Sequence, residues 1–326
     1  YPPDHKMYRE KSRRLMEYLR TFTKEIEQVS VDECYMDFTG IADRWNSPVD
    51  GAVEIKDGIK ERFGFTVNIG ISTNKLLAKM ASDFEKPDRI HTLYPEEIKE
   101  KMWPLPIGEL YMAGKSSVEV LKKLEINTIG DLAQADLKLI MLHLKSHGKM
   151  LWEFANGIGT SVVQSEPDEA KGIGNSTTLS EDAATMEEIR PVFERLAQSV
   201  GGRLKKAEKK AGMVSMEIKY YDFRTVSHQI QLDKPANDPE VLKETACSLF
   251  LEVWSGEPVR LLGIRTSKLI DEAAPEQLSI FDIEIPKEPD EKHKRLKKAM
   301  DEINGRFGDG AVMKASLMPK KPHDKG

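Results

Sequence analysis

Two adjacent carboxylates in the first part of the chain are candidate metal ligands. Asp32 and Glu33 lie in Ser-Val-Asp-Glu-Cys-Tyr-Met-Asp (30–37), between two segments with strand-like alternation. Consecutive side chains on a strand point to opposite faces, but at a tight turn both can converge on one site. Carboxylate oxygens suit Mg²⁺, and a pair of such ions can stabilise the attacking and the leaving oxygen of phosphoryl transfer. Acidic pairs in turns are commonly only solvated, so this pair needs support from other residues.

Three lysines follow at a predicted strand–helix junction. Lys75 and Lys79 are four residues apart, so they share one helical face, and Lys86 comes at the end of that helix. Ammonium groups placed there suit the negative charge of a nucleotide triphosphate. A solvated, lysine-rich helix surface is the alternative, and the lysines alone favour it.

The order of several motifs gives these residues a specific context. The stretch 30–37, then Gly-Ile-Ser-Thr-Asn-Lys-Leu-Leu-Ala-Lys-Met-Ala-Ser (70–82), then Lys-Pro-Asp (86–88) resemble the palm of Y-family translesion DNA polymerases. The stretch 109–117 with Thr-Ile-Gly-Asp-Leu-Ala (128–133) resembles the thumb of that family, and 173–179 resembles the start of its little finger domain. The resemblance covers nearly the whole chain and implies template-directed DNA synthesis of the damage-bypass class.

The resemblance also implies roles at the catalytic centre. Asp32 and Glu33 would be the catalytic metal ligands for two Mg²⁺ ions, with Glu33 near the primer 3′-hydroxyl. Lys86 would contact the incoming deoxynucleoside triphosphate, and Lys75 and Lys79 join it in the predicted nucleotide site.

Contacts with primer-template DNA are implied for two further segments. Gly114, followed by Lys115 and Ser116, would lie in a helix-hairpin-helix turn whose backbone N–H groups meet DNA phosphates. The little finger residues that would face the DNA backbone are Ser176, Thr177 and Thr178.

Hydrophobic periodicity predicts the elements that carry these residues. Alternation predicts strands over Glu25–Val31, Cys34–Phe38 and Phe65–Ser72, and Pro48 starts a helix between the last two. Ser72 or Thr73 is the predicted cap of the helix that carries Lys75. From Gly172 onward the order β-α-β-β-α-β indicates a split βαβ unit.

Together these elements predict an α+β, multidomain right-hand polymerase. The predicted parts are a partial palm with a ferredoxin-like sheet and helices on one face (1–95), a small all-helical thumb with the helix-hairpin-helix (96–160), a linker (161–171), a DNA-binding little finger (172–271), and a tail with a clamp-binding peptide and a short charged helix (272–326).

The chain departs from the family pattern in its first residues. The family's first carboxylate ligand lies on an opening strand before the fingers, whereas Tyr-Pro-Pro-Asp (1–4) matches the region after the fingers. We therefore expect the sequence as given to lack that strand, to have an unstable palm edge, and to be inactive in polymerisation. Met112 also replaces a glycine of the family's usual Gly-x-Gly hairpin, and Arg89 stands where glycine is common.

The tail contains a second candidate binding motif. Pro-Glu-Gln-Leu-Ser-Ile-Phe-Asp (275–282) resembles the bacterial sliding-clamp binding peptide. Its polar, proline-bounded flanks favour a peptide that inserts a few apolar anchors into a preformed groove. The residues expected to contact the clamp are Gln277, Leu278, Ile280 and Phe281.

Composition limits the classes of protein to which the chain could belong. The 326 residues are 39% hydrophobic and 32% charged, with a net charge of −5, so DNA binding requires a local basic groove rather than a basic surface. Cys34 and Cys247 are far apart, which indicates a reducing compartment without a disulfide framework. With no membrane-spanning run and no signal-peptide pattern in the given sequence, we expect a cytoplasmic monomer without a membrane partner.

Two rival interpretations stay open at this point. One is a non-catalytic accessory protein that binds DNA or the sliding clamp. The other is an unrelated α+β protein whose motifs arose by chance, which the ordered spacing disfavours.

Overall fold

The computed structural model describes residues 3–166 and 169–274, with a few further positions between 299 and 306. The chain divides into two compact units, Tyr1–Asp168 and Glu169–Gly326, and this division lies within the predicted linker. The predicted clamp-binding residues 277–281 lie outside the described residues. No helix in the described part of the chain is long and apolar enough to cross a membrane.

The first unit contains two small sheets among its described residues. The three predicted strands are shorter than predicted, a fourth was not predicted, and the four form two separate pairs rather than one sheet. Alternation in the sequence reports burial of one face, and Phe65 and Val67 are indeed packed against the core without belonging to a strand. The pairs are antiparallel β1 (Ile26–Gln28) with β2 (Cys34–Met36), and parallel β3 (Ile69–Ile71) with β4 (Ile90–Thr92).

Two helices cover the first sheet. Helix α1 (His5–Leu19) and helix α2 (Pro48–Phe63) bury apolar residues against β1, and Ser47 caps α2 through the backbone N–H of Asp50. The predicted helix start at Pro48 is confirmed. The buried residues of this cluster are Leu15, Met16, Leu19, Ile26, Ile55 and Ile59.

Helix α3 (Lys75–Asp83) carries two of the predicted nucleotide-site lysines and begins one or two residues later than we predicted. Asn74, rather than Ser72 or Thr73, is its N-cap: Asn74 Oδ1 accepts a hydrogen bond from the Leu77 N–H at 2.9 Å. Asn is as good a cap as Ser and Thr, and its amide also donates to the Gly157 carbonyl at 3.0 Å. The Ser72 hydroxyl instead donates to the Leu93 carbonyl at 2.5 Å.

Gly70 on β3 permits a close approach of helix α3 to the sheet. A Cβ atom at this position would lie 1.9 Å from the Ala78 carbonyl oxygen and 2.5 Å from the Ser82 nitrogen. Only glycine therefore allows the helix to lie directly on the strand.

The predicted thumb is helical and shares one hydrophobic core with α3. Its helices are α4 (Lys115–Lys123), α5 (Ile129–Gln134) and α6 (Leu137–Ala155), and α6 is kinked at Lys145. The predicted boundary between palm and thumb, after residue 95, stays a prediction. Helix α3 and the thumb helices bury their apolar faces in the same core, so the core does not separate the two parts. The core residues from both parts include Leu77, Met80, Ile107, Leu121, Ile129, Leu132 and Leu151.

The second unit confirms the predicted β-α-β-β-α-β order. Its four strands form one sheet in the order β5-β8-β6-β7, and all neighbouring strands are antiparallel. Both helices cover one face, with Phe193 and Phe250 at the centre of the core. The elements are β5 (Gly172–Ala183), α7 (Met186–Lys206), β6 (Lys209–Tyr220), β7 (Thr225–Ala236), α8 (Pro239–Val253) and β8 (Val259–Asp271).

Candidate active site and nucleic-acid interface

Asp32 and Glu33 lie on the exposed turn between β1 and β2, as predicted. Ser30 organises this turn: its hydroxyl donates to Asp32 Oδ1 at 2.6 Å and accepts from the backbone N–H of Glu33 at 3.1 Å. The Glu33 carbonyl in turn accepts from the N–H groups of Val29 and Ser30. This role of Ser30 was not predicted, although a serine hydroxyl in a turn commonly bonds the backbone of the residues that follow it.

Lys79 connects this turn to helix α3. Its ammonium nitrogen lies 2.6 Å from Glu33 Oε1 and 3.2 Å from Asp83 Oδ2. The Lys79 side chain is only 18% exposed, and Glu33 is 49% exposed. Burial lowers the pKa of Lys79, but hydrogen bonds to the two carboxylates outweigh it and hold that pKa above its usual value.

The other two predicted lysines are also paired with carboxylates. The Lys75 ammonium lies 2.7 Å from Glu27 Oε2 and 5.6 Å from the centre of the Tyr35 ring. Lys86 lies 2.7 Å from Asp83 Oδ1 and is 60% exposed. Of the three, Lys86 is therefore the most accessible to a ligand.

Glu27 and Asp83 are functional neighbours that the sequence analysis did not identify. The spacing of Asp83 from Lys79 and Lys86, four and three residues, contained a signal for its ion pairs. Glu27 gave no such signal because its partner is 48 residues away.

The loop that carries Lys86 is held by an ion-pair cluster on helix α2. Asp88 has a positive φ of 63°, and its carboxylate lies 3.1 Å from Lys56 Nζ and 2.6 Å from Lys60 Nζ. Hydrogen bonds from Lys60 and Lys56 hold the pKa of Asp88 below its usual value. The backbone just after Lys86 is thereby connected to α2.

The donor atoms at the turn fit a hard divalent cation in part. Asp32 and Glu33 offer exposed carboxylate oxygens, which Mg²⁺ prefers. Within the described ranges, no group of three or more His, Cys, Asp or Glu side chains could hold a metal ion. The pair can thus supply some ligands, and phosphate oxygens, water or further carboxylates would have to supply the others.

The predicted DNA-contacting turn of the thumb lies at the start of α4. Gly114 is the N-cap, and no atom lies within 4 Å of the position of a Cβ there. Lys115 and Ser116 are exposed in the first turn, where the helix dipole favours phosphate. Met112 takes a positive φ of 69°, a conformation that glycine adopts without strain.

The predicted little finger contacts lie on β5, at one edge of the sheet. Ser176 is paired with Gly263 on the neighbouring strand and is exposed, as is Thr178. Thr177 is half-buried because adjacent side chains of a strand point to opposite faces. Two of the three side chains can therefore meet one ligand surface, and Arg265 is in register beside Gly174 on that same face.

Comparison with known proteins identifies the family. Residues 1–83 match the impB/mucB/samB family, and residues 170–280 match the impB/mucB/samB family C-terminal domain. The chain is 43% identical to DNA polymerase IV of Clostridium acetobutylicum over 321 residues, or 98% of this chain and 80% of that relative. The chain belongs to the Y family of translesion DNA polymerases.

Further similarities agree with this assignment. The chain is 37% identical to DNA polymerase IV 1 of Bacillus subtilis over 322 residues, which is 98% of this chain and 77% of the relative. The structure of a Y-family DNA polymerase chimera has a TM-score of 0.72 at 22% identity, covering 83% of this chain and 78% of the other, which shows the fold. An unrelated α+β protein is thereby excluded.

Family membership assigns the enzyme class, DNA-directed DNA polymerase. It implies nucleotidyl transfer that depends on divalent metal, with primer-template DNA and nucleotides as substrates. The first unit, which carries the polymerase motifs, and the second unit, which carries the four-stranded sheet, thus both match parts of the same enzyme family.

Proposed function

We propose that the protein acts in damage-bypass DNA synthesis by two-metal nucleotidyl transfer, with Asp32 and Glu33 as two of the Mg²⁺ ligands. The carboxylate of the family's opening strand would supply a further ligand, so we expect primer extension only when that strand is present. The observation that carries the proposal is the exposed turn that presents both carboxylates beside the lysines of α3 and the following loop. When bound, Mg²⁺ would supply charge stabilisation at the attacking and leaving oxygens.

The protein's own residues have distinct tasks in this proposal. Ser30 fixes the turn so that both carboxylates stay on the solvent side. Lys86, the most exposed of the three lysines, would neutralise triphosphate charge, while Asp88 holds the loop behind it. Lys75 and Lys79 are largely neutralised by Glu27 and Glu33, so their predicted nucleotide contact would need these pairs to open.

DNA contacts in the proposal are independent of base sequence. The N–H groups at the start of α4 after Gly114, with Lys115 and Ser116, would bind phosphates of the duplex. In the second unit, Ser176 and Thr178 would meet the backbone from one face of β5. Phosphate contacts of this kind tolerate an irregular template because they do not read the bases.

The metal assignment can be tested on the chain as it stands. Binding of Mn²⁺, a spectroscopic substitute for Mg²⁺, is measured by electron paramagnetic resonance with and without a deoxynucleoside triphosphate. We expect Glu33→Gln and Asp32→Asn each to weaken Mn²⁺ binding by about tenfold or more, because each removes a charged ligand. Glu61→Gln, an exposed carboxylate on α2, is the control and should not change it.

Primer extension on a damaged template, measured with the family's opening carboxylate strand joined ahead of residue 1, separates catalysis from the accessory role. The accessory interpretation predicts DNA binding without extension at any Mg²⁺ concentration, and Mn²⁺ binding that is indifferent to Glu33→Gln. Unchanged Mn²⁺ binding in both carboxylate variants would contradict the proposed metal site.

Clamp binding is a separate proposal, supported by the motif at Gln277, Leu278, Ile280 and Phe281. Analytical ultracentrifugation of the full chain with a bacterial sliding clamp tests it. Loss of the complex in a Gln277→Ala and Phe281→Ala double variant is the expected result. The same experiment without clamp tests the expected monomer, and the expected cytoplasmic location also remains a prediction.

A further inference from the structure

Four side chains of alternating charge lie in a row beside the proposed metal site. Glu33 contacts Lys79 at 2.6 Å, Lys79 contacts Asp83 at 3.2 Å, and Asp83 contacts Lys86 at 2.7 Å. The row starts at a proposed metal ligand and ends at the residue proposed to meet the triphosphate. Both inner members therefore connect the two halves of the proposed active site.

The Lys79 ammonium takes the place of a cation at Glu33. At 2.6 Å from Oε1, it lies where positive charge on that oxygen is most favourable, and a divalent ion on the same oxygen would be repelled. Since Lys79 is only 18% exposed, water screens this repulsion less than it would at an open surface. Glu33 can bind a metal well only if the Lys79 ammonium can move to another carboxylate.

Asp83 provides that second position. It is one helical turn after Lys79 on α3, and its carboxylate already accepts a longer contact from the same ammonium. A small rotation of the lysine side chain would exchange the shorter contact with Glu33 for a shorter contact with Asp83.

We propose that Lys79 is a built-in counter-ion of Glu33 that competes with the metal and is transferred to Asp83 when a divalent cation binds. This rests on the proposed metal site. The transfer adds positive charge at Asp83, so it weakens the hold of Asp83 on Lys86. Metal binding thereby makes the Lys86 ammonium more available to a triphosphate, so binding of the metal and binding of the triphosphate are coupled.

Titration of the full chain with Mn²⁺ alone, followed by electron paramagnetic resonance, tests the counter-ion. Lys79→Met should bind Mn²⁺ about threefold to tenfold more tightly, since a competing charge near the metal is lost and partial solvent screening limits the gain. Lys79→Arg keeps the charge and should remain within about twofold of the wild type. Asp83→Asn should weaken Mn²⁺ binding by about threefold, because Lys79 then has only Glu33 as a carboxylate partner.

A matched control is available in the second unit. Lys243 is also nearly buried between two carboxylates, at 2.6 Å from Glu240 and 3.1 Å from Glu244, but it has no proposed metal ligand beside it. Lys243→Met makes the same charge change and should leave Mn²⁺ binding unchanged. Thermal unfolding of each variant verifies that it is folded under the conditions of the titration.

The possible results separate the two proposals. If Glu33→Gln abolishes Mn²⁺ binding while Lys79→Met binds as the wild type does, the counter-ion is overturned and the metal site stands. If Lys79→Met and Lys243→Met tighten binding equally, the effect is one of net charge, which also overturns it. Mn²⁺ binding that ignores Glu33→Gln overturns the metal site itself.

Discussion

Two side chains next to the carboxylate turn show how strongly burial raises the pKa of individual groups in this enzyme. Cys34 follows Glu33 directly, yet burial raises the pKa of its thiol to about 11. The neighbouring Tyr35 has its pKa raised to about 12, also chiefly by burial. Both groups therefore stay uncharged at neutral pH, and the negative charge at this end of the hairpin comes from the carboxylates alone.

The raised pKa of Cys34 predicts slow alkylation. Its thiolate fraction at pH 8 should be about a hundredfold lower than in the unfolded chain, since the pKa is raised by about two units. Because the folded state retains the proton more tightly, the associated stability is fully present below pH 9 and is lost as pH rises towards 11. Iodoacetamide labelling followed by peptide mass spectrometry, with and without urea, checks the rate. Equal labelling in both states would contradict the burial argument.

The positive φ of Met112 leads us to expect a gain in DNA affinity when this residue is replaced by glycine. Met112→Gly should relieve the cost of a positive φ, about 1 kcal/mol for a non-glycine residue, while little packing is lost because the side chain is 52% exposed. A bare backbone also allows a phosphate to approach α4 more closely. Fluorescence anisotropy with duplex DNA at fixed salt should show severalfold tighter binding. Met112→Ala shortens the side chain but does not make a positive φ easier to adopt. An equal gain in DNA affinity in both variants would show that the size of the side chain, and not the backbone conformation, limits binding.

Individual elements show where sequence patterns suffice and where they do not. Helix α2 could be predicted from Pro48 and its apolar spacing, and the six elements of the second unit from the alternation in their strands and the helical spacing in their helices. Strand β3 was predicted too long, because alternation over Phe65–Ser72 records burial, and neither β4 nor its pairing with β3 could be predicted. The carboxylate turn was predictable from its residues, whereas the partner of Lys79 depends on tertiary contact across 46 residues.

The contact between β3 and α3 predicts a destabilising substitution. Gly70→Ala would place a Cβ against the backbone of α3, so the helix that carries Lys75 and Lys79 must shift. We expect a loss of about 1–3 kcal/mol in the free energy of unfolding, the usual cost of overpacking, measured by urea denaturation. Gly40→Ala in the same unit has open space around it and should change stability by less than about 0.5 kcal/mol. Similar losses for both would show that contact with α3 is not the cause.

At the scale of the whole molecule, the chain leaves its first unit along a segment fixed to strand β1 and helix α3. The Lys75 N–H donates to the Thr160 carbonyl at 3.1 Å, and the Ser165 hydroxyl donates to Glu25 Oε2 at 2.6 Å. Glu27 accepts the backbone N–H of Gln164 at 2.8 Å while it also binds Lys75. The predicted linker 161–171 is therefore held at its beginning by residues next to the proposed active site, which its composition did not indicate.

Glu27 should accordingly control the local opening of this segment. In Glu27→Ala the backbone N–H of Gln164 loses its hydrogen bond to Glu27, so its hydrogen exchange should become about tenfold faster, because exchange reports local opening free energy. Nuclear magnetic resonance or mass spectrometry of the peptide around residue 164 measures the rate. Glu17→Ala removes an exposed carboxylate of α1 and should leave that rate unchanged. If the Gln164 N–H stays equally protected in Glu27→Ala, contacts other than the one with Glu27 hold the segment.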